Sequence, residues 1–126
     1  MMYSRAMLDS LGGYDENLAY EDFDLLVRAS RNFKFCYTAE VLAEKRIVKG
    51  SLGSTQYRPR SAMLRSTLQV CRKAYGLCRT PTEYAALRVR LRYEMKMALA
   101  SFNWGVLPGM ISLYRQAGRA LNVAKS

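Results

Sequence analysis

Apolar residues recur every three or four positions through three stretches in the second half of this 126-residue chain. The first stretch carries Leu64, Leu68, Cys71 and Tyr75, the second Tyr84, Leu87, Leu91, Met95, Ala98 and Phe102, and the third Ile111, Tyr114, Ala117 and Leu121. This spacing places apolar side chains on one face of an α-helix. The sequence therefore predicts an all-helical unit in residues 57–126.

Local signals set the ends of these helices. Gly76 ends the first helix, and Thr80-Pro81-Thr82-Glu83 begins the second, with Thr80 and Glu83 spaced as a capping box. No charged residue occurs from Met97 to Tyr114, a run of 18 residues that is barely long enough to cross a bilayer. Asn103 and Pro108 interrupt this run, so we expect two helices that meet at a turn, with Pro108 opening the last one.

The first half has a different pattern. A short helix is expected over residues 5–11, stopped by Gly12-Gly13, and a second helix over residues 21–31. Apolar residues then alternate with polar ones from Phe33 to Tyr37 and from Val41 to Val48, which is typical of β-strands. The sequence therefore predicts an α/β unit in residues 1–56, followed by the helical extension.

Charge is also unevenly distributed between the two halves of the chain. Residues 1–63 hold nine basic and eight acidic side chains, whereas residues 64–126 hold eleven basic and two acidic ones. The second half therefore suits an anionic partner. The three cysteines and the absence of histidine exclude a Cys/His zinc site and a disulfide framework that uses every cysteine. We expect a cytoplasmic protein, since Arg5 and Asp9 interrupt any secretory signal at the N-terminus.

Three carboxylates crowd the start of the second helix, at Glu21, Asp22 and Asp24. One interpretation is structural, because the positive end of a helix dipole stabilises acidic residues in the first turn. The other is catalytic. A general base must be ionised, partly exposed and fixed in direction, and Asp22 has a shorter and less mobile side chain than Glu21.

The order of motifs resembles the C-terminal part of a family 2 glycosyltransferase catalytic domain. The resemblance lies in Gly12-Gly13-Tyr14-Asp15-Glu16, then Glu21-Asp22-Phe23-Asp24-Leu25 with Arg28, two strands, and an arginine before a Gly-Ser turn. It covers roughly residues 1–55. It implies a partial nucleotide-sugar transferase fold of the GT-A type, and inverting transfer of a sugar from a nucleotide diphosphate to an acceptor hydroxyl.

The resemblance also implies roles for individual residues. Asp22 matches the general base, and Glu21 matches a neighbouring carboxylate that helps to place the acceptor. Asp24 and Arg28 match the rest of the pattern, and their structural roles would be a dipole carboxylate and a helix-end cation. Arg46 matches an arginine near the donor diphosphate, although the family's histidine two residues later is replaced by Val48.

The donor-binding part of the family has no counterpart in this sequence. No D-x-D motif precedes Asp22, and the Asp22-Phe23-Asp24 triplet lies on a predicted helix rather than at a strand end. We therefore expect this chain to hold no metal and to be inactive alone, with Mn²⁺ or Mg²⁺ and the sugar nucleotide bound elsewhere in a complete enzyme. The acceptor would be a glycan or a lipid-linked sugar in bacterial surface polysaccharide or glycolipid synthesis.

Three interpretations remain for the basic half. It could be a helical extension with a solvated face, or it could meet an anionic membrane at the cytoplasmic side. It could also bind nucleic acid, although no recognised signature accompanies the basic residues Arg65, Arg72, Lys73, Arg79, Arg88, Arg90 and Arg92. A binding module of this kind, without catalysis, is the alternative to a transferase.

Overall fold

The computed structural model describes residues 1–44, 46, 48, 50–51 and 56–124. Five α-helices follow one another: α1 (Arg5–Leu11), α2 (Glu21–Ala29), α3 (Ala62–Leu77), α4 (Pro81–Ala100) and α5 (Leu107–Val123). A short 3-10 helix, Trp104–Val106, makes the corner between α4 and α5. Among the described residues, no helix is long and apolar enough to cross a membrane.

The predicted α/β fold is wrong for the described part of the chain, which contains helices and no strand. Residues 33–44 follow an irregular path. Phe33 packs against the core of α1 and α2, but the later apolar side chains of the predicted strands face solvent, with Tyr37 92% and Val41 88% exposed. Alternation favours a strand only where a neighbouring strand supplies hydrogen bonds and an apolar face supplies packing. No described segment supplies either. Residues 45 and 47 of the second predicted strand lie outside the described part.

Local capping explains where the helices begin and end. The Ser4 hydroxyl accepts a hydrogen bond from the Met7 amide at 3.2 Å, and Gly12 ends α1 with a φ of 71°, which glycine adopts without strain. At α4, Thr80 and Glu83 form the predicted capping box. The charge-free run bends between α4 and α5, so the prediction of two helices is confirmed.

The larger core lies between α3, α4 and α5, where Leu64, Leu91 and Met110 are fully buried. The predicted apolar faces of α3 and α4 are confirmed except at Phe102, which is 71% exposed because α4 ends at Ala100. On α5, Ile111 is exposed, and Met110 and Leu113 are buried in its place.

A smaller core joins α1 and α2 through Met7, Leu25 and Ala29. Polar contacts connect this part to the helical half, although the sequence places a domain boundary between them. The Ala19 amide donates to the Ser66 hydroxyl of α3 at 2.8 Å, and Arg31, two residues after the end of α2, donates to both the Leu77 carbonyl and the Glu83 carboxylate. Helix α2 is thereby held against α3.

Candidate functional site

The first turn of α2 contains the three carboxylates that the sequence singles out, and the fold gives them different surroundings. Asp24 is fully buried, Glu21 is half-buried, and Asp22 is exposed. All three lie where the positive end of the helix dipole stabilises negative charge. Burial therefore separates one carboxylate that the fold uses from one that solvent or a ligand can reach.

Asp24 lies between two cations from different helices. Its Oδ2 is 2.8 Å from Nε of Arg28, one turn later on α2, and its Oδ1 is 2.8 Å from Nζ of Lys73 on α3. Lys73 also contacts Oδ2 of Asp15 at 2.8 Å. A buried carboxylate needs partners of this kind to offset its lost hydration. Asp24 is therefore a structural residue.

Arg28 extends this network to the glycine turn. Its two terminal nitrogens donate to the Leu11 carbonyl at 2.6 Å and to the Gly13 carbonyl at 2.8 Å. Gly12 and Gly13 have φ values of 71° and 74°, a backbone shape that favours glycine. The motif residues of the Gly-Gly turn and of α2 thus form one connected unit, which we call the Asp24 clamp (Gly13, Asp15, Asp24, Arg28 and Lys73).

Asp22 lies in the same helix turn as the clamp residue Asp24. The pKa of the nearby Tyr3 is raised by burial first, and then by the Tyr14 and Asp22 side chains. Among the described residues, no ion pair involves Asp22 or Glu21. The Lys73 ammonium and the Asn17 donors, in contrast, lower the pKa of Asp15 to about 2.

The Asp22–Asp24 pair does not fit a divalent cation, because both oxygens of Asp24 already contact Arg28 and Lys73. Within the described residues, no group of three or more His, Cys, Asp or Glu side chains is arranged to hold a metal ion. Arg46 is exposed and does not adopt the strand conformation predicted for it. No ion pair of the described residues joins Arg46 to Glu21 or Asp22.

Sequence reasoning missed a second buried carboxylate, Glu94 on α4. Its Oε1 lies 2.7 Å from a terminal nitrogen of Arg90, and the Tyr57 hydroxyl donates to Oε2 at 3.4 Å. Burial raises the pKa of Glu94, and the Arg90 guanidinium packs 4.8 Å from the centre of the Phe23 ring. The signal was present, because Glu94 follows Leu91 by three positions and so falls on the apolar face of its helix.

Lys73 was also missed as a site residue, since it was grouped with the other basic residues of the second half. The fold disperses that group. Lys73 and Arg90 form ion pairs, and Arg88 lies 4.4 Å from the centre of the Tyr114 ring. These cations therefore do not form one continuous basic face.

Comparison with known proteins does not assign the chain to a family. Scans of protein-family models, of curated proteins and of solved structures each found no match.

Proposed function

We propose that this chain is the acceptor-side part of an inverting sugar-nucleotide glycosyltransferase, in which Asp22 is the general base. The observation that supports the proposal is the difference in burial and ion pairing between two carboxylates in the first turn of α2. Asp24 is buried and bound by Arg28 and Lys73, whereas Asp22 is exposed and has no cationic partner among the described residues. A carboxylate on a fixed helix turn that remains open to an acceptor is what this chemistry requires.

The reaction needs one proton transfer at Asp22. The acceptor hydroxyl would donate its proton to the carboxylate while its oxygen attacks the anomeric carbon from the face opposite the leaving group. The nucleoside diphosphate would depart with the bonding electron pair, and the configuration would invert. The Asp24 clamp limits movement of the helix turn that carries Asp22.

The proposed acceptor is a glycan or a lipid-linked sugar, and the donor is a sugar nucleotide. Glu21 lies next to the base and would hydrogen-bond to the acceptor. The donor and its divalent metal would be held by another part of a complete enzyme, because the described residues of this chain offer no fitting metal ligands. Arg46 is exposed and would bind the donor diphosphate held by that other part.

The test is a turnover assay in a transferase polypeptide that joins this segment to a donor-binding segment. Asp22→Asn keeps the size of the side chain but removes its ability to accept the proton. We expect kcat to fall by at least about 10²-fold, with little change in donor affinity. The matched control is Glu16→Gln, which removes one negative charge from an exposed residue of the preceding loop.

Asp24→Asn is not a suitable control, because the structural role of Asp24 makes this variant prone to unfolding. If Asp22→Asn keeps full turnover, or if Glu16→Gln loses as much, Asp22 is only a helix-start carboxylate. The chain would then be a binding module without catalysis, the alternative that the basic second half suggests.

A further inference from the structure

The corner between α4 and α5 forms an open pocket with α3, on a part of the molecule that the proposed transferase chemistry does not use. Its volume is about 500 Å³, and its lining includes Arg60, Arg65, Arg72, Phe102 and Trp104. Arginines and exposed aromatic rings thus surround one cavity. Among the described residues, no acidic side chain lines it.

The charge of this pocket is not balanced within the described part of the chain. Arg60, Arg65 and Arg72 are all exposed, and none of them takes part in an ion pair there. Three guanidinium groups around one cavity repel each other and favour an anion with several oxygens. Phosphate matches this requirement, because guanidinium binds it through paired hydrogen bonds.

A buried amide holds the walls of the pocket in place. Asn103 accepts a hydrogen bond from the Ser61 amide at 2.9 Å and donates to the Arg58 carbonyl at 2.8 Å. A further bond from the same side chain reaches the Ser101 hydroxyl at 2.8 Å. These contacts fix the turn that carries Arg60 against the corner of α4 and α5.

The backbone around the pocket is strained at two positions. Arg60 and Phe102 have φ values of 59° and 58°, and they are the non-glycine residues with positive φ in the described chain. Both line this pocket. Such conformations carry an energetic cost and cluster at binding and active sites, where the surrounding structure enforces them. Their coincidence here indicates a built site rather than an incidental groove.

Two exposed aromatic rings, Phe102 and Trp104, line the pocket, and we call them its aromatic rim. Phe102 is 71% exposed and Trp104 is 63% exposed, and their ring centres lie 6.3 Å apart. Leu99, in the last turn of α4, is also exposed. Rings of this kind are favoured at the boundary between lipid headgroups and acyl chains, where tryptophan is amphipathic. Arginines behind an aromatic rim match a phospholipid surface, with phosphate in the pocket and rings in the boundary layer.

We propose that this pocket docks the protein on an anionic membrane surface, with a lipid phosphate bound by Arg60, Arg65 and Arg72 and with Phe102 and Trp104 inserted beside it. The contact is peripheral and depends on both parts of the site. Arginines attract the surface over a Debye length, and the aromatic rim supplies short-range burial.

The test uses the complete chain and its single tryptophan, Trp104, as the reporter. Vesicles of phosphatidylcholine with about one third phosphatidylglycerol should shift its emission to shorter wavelength, and vesicles of phosphatidylcholine alone should not. Raising salt should weaken the binding steeply. The variant R65Q/R72Q should bind the anionic vesicles about 30-fold more weakly, as expected for two surface arginines.

The matched control is R115Q/R119Q, which removes the same charge from exposed positions on α5 outside the pocket. It should bind nearly as well as the unchanged protein, and circular dichroism should show both double variants folded. An equal loss of vesicle binding in the two double variants would show that binding depends on net charge alone, and it would overturn the role of the pocket. D22N should bind vesicles normally, so that failure of the catalytic proposal and failure of this one are separable.

Two further probes distinguish other sources of phosphate. Inorganic phosphate or glycerol 3-phosphate at millimolar concentration should compete only weakly, since neither buries the aromatic rim. Arginine-dependent binding of either soluble phosphate, with no emission shift on vesicles, would make this a site for a soluble phosphate ligand and overturn membrane docking. Arginine-dependent binding to a DNA or RNA duplex, without vesicle binding, would overturn it as well.

Discussion

At the scale of single residues, three neighbouring carboxylates of the same charge lie in one helix turn but have different surroundings. Their spacing in the sequence suggests a common effect on the helix dipole. The fold instead buries Asp24 between Arg28 and Lys73, and it leaves Asp22 exposed. Burial and partner geometry therefore decide which carboxylate is open to solvent and which one holds the fold.

Asp24→Asn should unfold more easily than the unchanged protein. Removing the charge leaves Arg28 and Lys73 without their shared partner, and breaking a buried ion pair from one side costs about 3 kcal/mol or more. Both cations are partly exposed, so the low end of that range applies. Urea unfolding followed by circular dichroism measures the change.

Asp22→Asn provides the comparison, since an exposed surface substitution changes stability by about 0.5 kcal/mol or less. The interpretation of Asp24 as the central structural carboxylate would be wrong if both variants unfolded at the same urea concentration.

At the scale of elements, the helices follow from local signals, and their contacts depend on where small residues fall. Gly109 and Gly118 both lie inside α5. A Cβ added at Gly109 would lie 2.7 Å from Cδ2 of Leu68 on α3, whereas one at Gly118 would meet Arg88 at 3.5 Å or more. One glycine thus permits a close approach of α5 to α3, and the other only weakens its own helix.

Gly118→Ala should stabilise the protein by about 0.5–1 kcal/mol, because alanine loses less backbone entropy than glycine in a helix and the added methyl makes an ordinary contact. Gly109→Ala should give no such gain, since Leu68 and Arg72 would have to move. Urea midpoints of the two variants measure the contrast. Equal stabilisation would mean that the approach of α5 to α3 is looser than described.

At the scale of the whole molecule, two carboxylates with lowered pKa values help to connect the segments. Lys73 and Asn17 lower the pKa of Asp15 to about 2, and the amides of Arg79 and Thr80 together with Arg31 lower that of Glu83 to about 2. A carboxyl whose folded pKa is depressed contributes stability above its unfolded pKa, and that contribution disappears as the pH falls towards the folded value.

Stability should therefore fall as the pH is lowered from about 4.5 to about 2. Glu94 acts in the opposite direction, because its raised pKa makes its protonated form the more favourable one in the folded state. Urea midpoints measured across this range give the slope, and Glu83→Gln should flatten it. An unchanged slope in that variant would contradict the role of Glu83.

The whole chain should also fail to bind a sugar nucleotide or Mn²⁺ at micromolar concentration. Its described residues hold no fitting metal group, and its sequence has no D-x-D before Asp22. Isothermal calorimetry with a UDP-sugar and Mn²⁺ measures this. A saturable, nucleotide-dependent heat at micromolar concentration would refute the assignment of this chain to the acceptor side alone.

The sequence by itself determined the helices, since their signals are local. The Ser4 and Thr80 caps, the Gly12 stop and the apolar spacing of α3 and α4 act over a few residues. It also placed Glu21, Asp22 and Asp24 in the first turn of α2, where the structure has them. The strand predictions were wrong because a strand needs a neighbouring strand from elsewhere in the chain. No described segment provides one for residues 33–44.

Only the tertiary structure decided what individual polar residues do. Lys73 and Asp24 are 49 positions apart in the sequence, and Glu83 and Arg31 are 52 positions apart. No local sequence pattern predicts either pair. The pocket at the α4–α5 corner likewise combines Arg60 with Trp104 through the buried amide of Asn103. Periodicity records which face of a helix is apolar, whereas the partner of a charge depends on how the helices pack.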